Sequence, residues 1–270
     1  MQLNSGQAWN DATRMIKANR EVVLVLAGVF FFVPLMVLFL FVFGSGILSG
    51  LAGAEPDPEV VSKQVNTLLF SYWWVFALVA IGQLAGAIAL LALLGDRDKP
   101  TVGDVIGMIP KLILTMIAAQ FISAMASQAL PSLTQYLPAA TQGIVSLIVL
   151  PISIYIAVKF SLTSAVIAVD KERNPITALK QSWTLTKGNS LRIFAFYFLL
   201  TVTAIVIGLL VALVTGLVFA ALGERFYLIG NAVIISGLIA GFYALAYAVT
   251  AAIHRQLSGP SSSEVAGTFD

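Results

Sequence analysis

The stretch from Val22 to Phe43, VVLVLAGVFFFVPLMVLFLFVF, decides the fold of this chain. It carries no charged side chain over a length that meets the requirement of about 20 consecutive apolar residues for a transmembrane helix. Because the run is continuously apolar and does not alternate, it predicts a helix and not a strand of a barrel. The stretch is therefore the first predicted membrane span.

The rest of the chain repeats this pattern. Hydrophobic residues make up 59% of the 270 residues and charged residues only 10%, against about 25% charged residues in ordinary globular domains. Such a chain has too little polar surface to coat a water-soluble globule. We expect an all-α, polytopic membrane protein with six transmembrane helices, which lie at about 22–43, 74–94, 112–130, 142–169, 191–222 and 228–253.

These spans fill a single predicted membrane domain, residues 1–255, followed by a short, disordered cytoplasmic tail at 256–270. Pro151 lies inside the fourth span, and proline is a common cause of a helix kink. Gly82 and Gly86 form a small-xxx-small pattern, and so do Gly237 and Gly241. Such patterns indicate close helix packing, either within the chain or between copies of it.

The positive charges give the spans an orientation. Of the 15 lysines and arginines, two (Lys63 and Arg225) lie on one side of the predicted spans and one (Lys159) lies inside a span. The other twelve lie on the opposite side: Arg14, Lys17, Arg20, Arg97, Lys99, Lys111, Lys171, Arg173, Lys180, Lys187, Arg192 and Arg255. Because cytoplasmic loops carry an excess of lysine and arginine, both termini are predicted to be cytoplasmic.

Three cytoplasmic segments have a common plan. Asn174-Pro175 is a good helix start, and Ile176, Leu179 and Trp183 then form a predicted apolar face, with Gly188 as a stop. A capping-box pattern begins at Thr101, and a third amphipathic segment follows Ser5. The plan predicts three repeats of an interfacial amphipathic helix plus a transmembrane hairpin.

The region from the end of the fourth span through the loop after it also resembles a known family. It contains Lys-Phe-Ser-Leu from Lys159, Asp-Lys-Glu-Arg-Asn-Pro from Asp170, and Ala-Leu-Lys-Gln-Ser-Trp-Thr-Leu-Thr-Lys-Gly-Asn from Ala178. These stretches resemble the YciC-like family of bacterial inner-membrane proteins, and are similar to the membrane domain of some glycerophosphodiester phosphodiesterases. The resemblance implies a multi-pass protein of the bacterial inner membrane with a poorly defined role, and it does not carry the phosphodiesterase activity.

Lys159 is the candidate functional residue of the spans. It lies about ten residues before the inner end of the fourth predicted span, where a lysine costs on the order of 3 kcal/mol on insertion scales. Two interpretations are open: the side chain extends to the inner headgroups, or it anchors a lipid phosphate or an anionic solute between helices. Together with Lys159, three residues form the predicted lipid- or anion-binding set: Lys180, Lys187 and Arg192.

No enzyme is expected. The chain has no cysteine and a single histidine, His254, which is more often a capping residue than a ligand, so no metal site or cofactor is predicted. Every acidic residue lies outside the middle of the spans, which weighs against an ion-coupled transporter. A lipid-modifying enzyme is the exception to consider, because it could use the loop carboxylates of Asp96, Asp98, Asp170 and Glu172.

Three functions are compatible with these features. The first is a non-enzymatic, envelope or lipid-associated protein that binds lipid or partners, with anionic lipid attracted to the basic cytoplasmic face. The second is a transporter of small solutes or lipid with a path near Lys159. The third is a membrane subunit of a larger complex. The bilayer is the predicted partner in each case, a homo-oligomer or complex is possible, and no nucleic-acid partner is expected.

Overall fold

The computed structural model describes residues 2–44, 58–96 and 100–259, and this part of the chain folds into helices and turns without strands. Six helical stretches are long and apolar enough to cross a membrane, which confirms the predicted fold class. They are Arg20–Val42, Trp73–Gly95, Val102–Thr134, Ala140–Val169, Ser190–Leu222 and Phe226–Ser258.

The helices are numbered here in chain order. The bounds are α1 Ser5–Ala18, α2 Arg20–Ala27, a π-helical segment Gly28–Phe32, α3 Val33–Gly44, α4 Pro58–Ser71, α5 Trp73–Gly95, α6 Val102–Thr134, α7 Ala139–Lys159, α8 Thr163–Val169, α9 Pro175–Leu185, α10 Ser190–Leu222 and α11 Glu224–Ser258. The last helix continues into the predicted tail, whose residues 260–270 lie outside the described part, as do Arg97, Asp98 and Lys99.

Of the helix starts in the three segments with a common plan, two follow their sequence signals directly. The Asn174 side chain accepts hydrogen bonds from the amides of Ile176 and Thr177, with Pro175 at the first helical position of α9. Thr101 and Asp104 form the predicted capping box at the start of α6. Helix α1 is capped by Asn4 and not by Ser5. The threefold repeat of a helix plus a hairpin stays a prediction.

The described residues form two compact units, which are described separately; the single domain 1–255 stays a prediction. The first unit comprises residues 2–19, 87–96, 100–199 and 245–259. In this unit α6 contacts α7, α8 and α9, and five of the seven residues of α8 are buried. A Cβ atom on Gly95 would lie 2.6 Å from Val169 Cγ2, so α5 and α8 approach closely there.

The second unit comprises residues 20–44, 58–86 and 200–244. Its core includes the fully buried Phe31, whose ring centroid lies 5.3 Å from that of Tyr243. A Cβ atom on Gly86 would lie 2.6 Å from Phe30 Cβ and 2.7 Å from the Phe31 ring, so α5 packs closely on the π-helical segment. The small residue at Gly86 therefore serves packing within the chain.

A predicted kink site and the observed interruption of the fourth span differ in position. Pro151 lies inside α7, which continues to Lys159. The span is interrupted at residues 160–162, between α7 and α8. Lys159 is the last residue of α7, and it lies before the end of the fourth span at Val169, as the sequence places it.

Candidate functional site

The interruption at residues 160–162 leaves several backbone groups without their helical partners, the Lys159 carbonyl and the Leu162 amide among them. The amide of Thr163 donates to the carbonyl of Phe160, and the amide of Ser161 donates to the carbonyl of Val158. In a continuous α-helix the Thr163 amide would donate to the carbonyl of Lys159, and the Leu162 amide to that of Val158. The Lys159 carbonyl and the Leu162 amide therefore need partners from elsewhere, because an unsatisfied backbone group away from water is costly.

Ser182 of α9 satisfies both groups. Its hydroxyl donates to the Lys159 carbonyl at 2.8 Å and accepts from the Leu162 amide at 3.2 Å. The Ser182 side chain is fully buried, and so is that of Thr186, whose hydroxyl lies 3.5 Å from the same Lys159 carbonyl. One turn of α9 thus supplies hydrogen-bond partners to two backbone groups of the interrupted span.

The inward face of α9 combines small, apolar and hydroxyl side chains. The residues that pack inward are Ala178, Leu179 and Ser182, whereas Ile176 is 55% exposed and Trp183 41% exposed. Small and hydroxyl side chains allow α9 to approach the backbone at the break closely. The exposed Ile176 and Trp183 belong to the apolar face that the sequence predicts for an interfacial helix.

The Lys159 side chain lies among aromatic rings. It is 2% exposed, and its Nζ lies 5.4 Å from the ring centroid of Tyr155 and 5.4 Å from that of Trp183. The Trp183 ring centroid lies 5.6 Å from that of Phe160. We call Tyr155, Lys159, Phe160 and Trp183 the Lys159 box. Within the described residues no carboxylate forms an ion pair with Lys159.

Electrostatics at the end of α7 favour a cation. Lys159 lies in the last turn of this helix, where the helix dipole and the unpaired carbonyls stabilise positive charge. Each cation–π contact adds about 0.5–2 kcal/mol, depending on how far the charge is desolvated. The box thus holds an ammonium group close to, but screened from, the surface of the first unit.

The other three predicted site residues are not in the box. Lys180 and Lys187 are exposed. Arg192 is also exposed, and its guanidinium donates to Gln2 Oε1 at 3.3 Å and to the Leu3 carbonyl at 3.5 Å. The amide of Leu3 in turn donates to Asn189 Oδ1 at 2.8 Å. Arg192 therefore takes part in holding the N-terminal arm.

A second polar cluster was missed by the sequence interpretation. His254 is 1% exposed, and its Nε2 lies 3.1 Å from Asp170 Oδ2, so His254 is a buried and paired residue. Lys171 Nζ lies 3.0 Å from Asp96 Oδ2. The signal available in the sequence was the position of three residues near the ends of apolar stretches on the predicted cytoplasmic side: Asp96, Asp170 and His254. Side chains at the ends of neighbouring helices can form ion pairs.

The two clusters differ in chemistry. The Lys159 box contains hydrogen-bond donors with positive charge, which suits an anion. The second cluster contains two pairs of opposite type, Lys171 with Asp96 and His254 with Asp170. Within the part of the chain that the structure describes, no group of three or more His, Cys, Asp or Glu side chains could hold a metal ion. The loop carboxylate of Glu172 accepts from the Asn174 amide at 2.8 Å and so supports the start of α9.

Comparison with known proteins gives no relative for this chain. No family model, no curated protein and no solved structure matches it. The resemblance to the YciC-like family therefore stays a prediction, and function has to be inferred from the site itself.

Proposed function

We propose that this chain is a non-enzymatic protein of the bacterial inner membrane that associates with anionic lipid through its cytoplasmic interfacial helices α1 and α9. The resemblance of residues 159–192 to the YciC-like family supports an envelope role of this kind. The positive-inside bias supports cytoplasmic termini. The proposal assigns the basic face a binding role in addition to its role in topology.

The observation that carries this proposal is the surface of the two helices. Trp9 of α1 and Trp183 of α9 are each 41% exposed. Exposed lysines or arginines lie on the same helices or directly after them: Arg14, Lys17, Arg20, Lys180 and Lys187. Tryptophan is enriched at membrane–water interfaces, and basic residues near the surface attract anionic lipid at about 1 kcal/mol each.

Lipid preference can be tested in the purified protein. We expect Lys180→Gln with Lys187→Gln to reduce retention of phosphatidylglycerol relative to phosphatidylcholine about thirtyfold, because two charges contribute about 2 kcal/mol. Lipid that co-purifies in detergent would be quantified by mass spectrometry. The control is Lys63→Gln on α4, an exposed lysine on the other predicted side. Equal retention in the double variant and the wild type would contradict the proposal.

Orientation can be tested independently because the chain has no cysteine. We expect the exposed position of Asn10→Cys to react with a membrane-impermeant maleimide only after spheroplasts are permeabilised. The exposed position of Ser62→Cys should react in intact spheroplasts. The opposite labelling pattern would reverse the proposed topology and remove α1 and α9 from the cytoplasmic face.

The interrupted fourth span is the observation that favours the transporter alternative, because transporters build substrate sites at discontinuous helices. Here, however, a hydroxyl of the same chain occupies two of the freed backbone groups, and the cation is packed against two rings. These contacts support a bound headgroup more than an open path.

A further inference from the structure

We propose that the Lys159 box is a binding site for a phosphate group, carried by an anionic lipid headgroup or by inorganic phosphate, and that Trp183 is the residue such a ligand must pass. This inference rests on the proposed function, since it names a specific site beneath the basic surface of α9. It differs from that function in the residues it requires, which are Tyr155, Lys159 and Trp183.

The first argument is the set of hydrogen-bonding groups. The Lys159 ammonium, the Tyr155 hydroxyl and the Trp183 indole N–H all donate hydrogen bonds. None of the three donates to another side chain or carbonyl among the described residues. A phosphate group offers several acceptor oxygens and a negative charge, so it can accept hydrogen bonds from donors of this kind.

The second argument is the missing counter-ion. Lys159 is 2% exposed, and a buried charge normally needs a partner of opposite charge. Two acids of the first unit are paired with other residues, Asp96 with Lys171 and Asp170 with His254. The two ring faces compensate the ammonium only in part. An anion would supply the rest.

The third argument is that the site is held in place. The Lys159 carbonyl and the Leu162 amide are fixed by Ser182, the residue directly before Trp183. The backbone on both sides of the box is therefore positioned by the same hydroxyl. The rings of Tyr155 and Trp183 are half-exposed, so a phosphate can approach Lys159 along them, and its arrival changes the surroundings of the Trp183 indole.

Trp183 fluorescence is a direct probe of the site. The chain has four tryptophans, so Trp9→Phe, Trp73→Phe and Trp74→Phe leave Trp183 as the single emitter. In phosphatidylcholine vesicles we expect brominated phosphatidylglycerol to quench Trp183 with about fivefold higher apparent affinity than brominated phosphatidylcholine, which corresponds to one added charge interaction. Lys159→Met should abolish this preference, and equal quenching by the two lipids in the parent would overturn the site.

A second variant and a second ligand complete the test. Tyr155→Phe keeps the aromatic ring but removes one hydrogen-bond donor, so it should weaken the preference for phosphatidylglycerol. Such a result would show that the loss in Lys159→Met is not a purely structural effect. In detergent, a saturable change of Trp183 emission with inorganic phosphate but not with chloride would identify soluble phosphate as a ligand. An effect confined to phosphatidylglycerol would identify the headgroup.

The two proposals fail differently. If Lys180→Gln with Lys187→Gln removes the phosphatidylglycerol preference and Lys159→Met leaves it intact, the site in the box is overturned and the proposed function stands. If Lys159→Met alone removes it, the site stands and the surface lysines are not its source. If every variant keeps both the phosphatidylglycerol preference and the quenching of Trp183, both proposals are overturned.

Discussion

Two membrane spans of this protein depart from a regular α-helix, and they solve the same hydrogen-bonding problem in different ways. In the first span, the π-helical segment Gly28–Phe32 precedes Pro34, and the amide of Val33 donates to the carbonyl of Gly28 five residues before it. The Val33 amide is therefore satisfied within the same helix. In the fourth span, the break at residues 160–162 is satisfied by Ser182, which lies 20 residues after Leu162.

The difference has a chemical consequence. A π turn before Pro34 absorbs the missing N–H of proline and the bulk of its ring within one helix, and the surroundings stay apolar, with Phe31 buried against Tyr243. The break in the fourth span is satisfied by a hydroxyl of another helix, so α9 must pack close to it. Because Trp183 follows Ser182 on α9, this packing places Trp183 beside Lys159. The hydrogen bonds from Ser182 therefore accompany a polar site in the fourth span, whereas the hydrogen bond within the π-helical segment does not.

The largest effect is expected at Ser182. We expect Ser182→Val to destabilise the protein by about 2–4 kcal/mol, because two buried backbone groups each lose a partner at about 1–3 kcal/mol. Unfolding by denaturant in detergent micelles measures this change. Thr184→Val is the matched control on the same helix, because the Thr184 hydroxyl is exposed and bonds only to the Lys180 carbonyl. A similar loss in both variants would contradict the special role of Ser182.

A smaller effect is expected where α5 packs on the π-helical segment. Gly86→Ala should destabilise by about 1–3 kcal/mol, the usual range for overpacking, because the new methyl group would lie 2.6 Å from Phe30 Cβ. Gly143→Ala in α7 is the control, since no atom lies within 4 Å of its Cβ position. Unfolding by denaturant in detergent micelles measures this change as well. An unchanged stability of Gly86→Ala would show that the π-helical segment can shift to accommodate the methyl group.

The smallest effect is expected at Pro34. Because the π-helical segment already provides the local hydrogen bonding, Pro34→Ala should change stability by less than about 1 kcal/mol, well below the cost of about 3 kcal/mol for a proline forced into a regular helix interior. Pro151→Ala in α7 is the matched substitution. A large gain in stability at Pro34 would mean that the π turn stores strain that the alanine variant releases.

The two interruptions also show what sequence could predict. Hydropathy located the six spans because the apolar requirement for crossing a bilayer is local and continuous. The capping box at Thr101 was equally local, because both partners lie within one turn. The break at residues 160–162 was not predictable in this way, because the group that permits it, the Ser182 hydroxyl, belongs to another helix.

The site shows the same limit. Lys159 stood out in the sequence because it is a charge inside an apolar run. Its surroundings did not, because Trp183 comes to it through the fold. The pair of Asp170 and His254 is separated by 84 positions, and a single histidine gave no pattern to follow. When two partners lie far apart in the chain, the sequence shows their residue types but not their contact.

Hydrogen exchange of the interrupted span tests most directly whether α9 completes it. We expect peptides covering Phe160–Leu162 to be protected in the wild type and to exchange much faster in Ser182→Ala. Peptides covering the π-helical segment Gly28–Phe32 of the same variant should exchange at the wild-type rate and serve as the internal control. Unchanged exchange at Phe160–Leu162, or equal acceleration in both segments, would contradict the claim that the Ser182 hydroxyl satisfies the interrupted span and positions the Lys159 box.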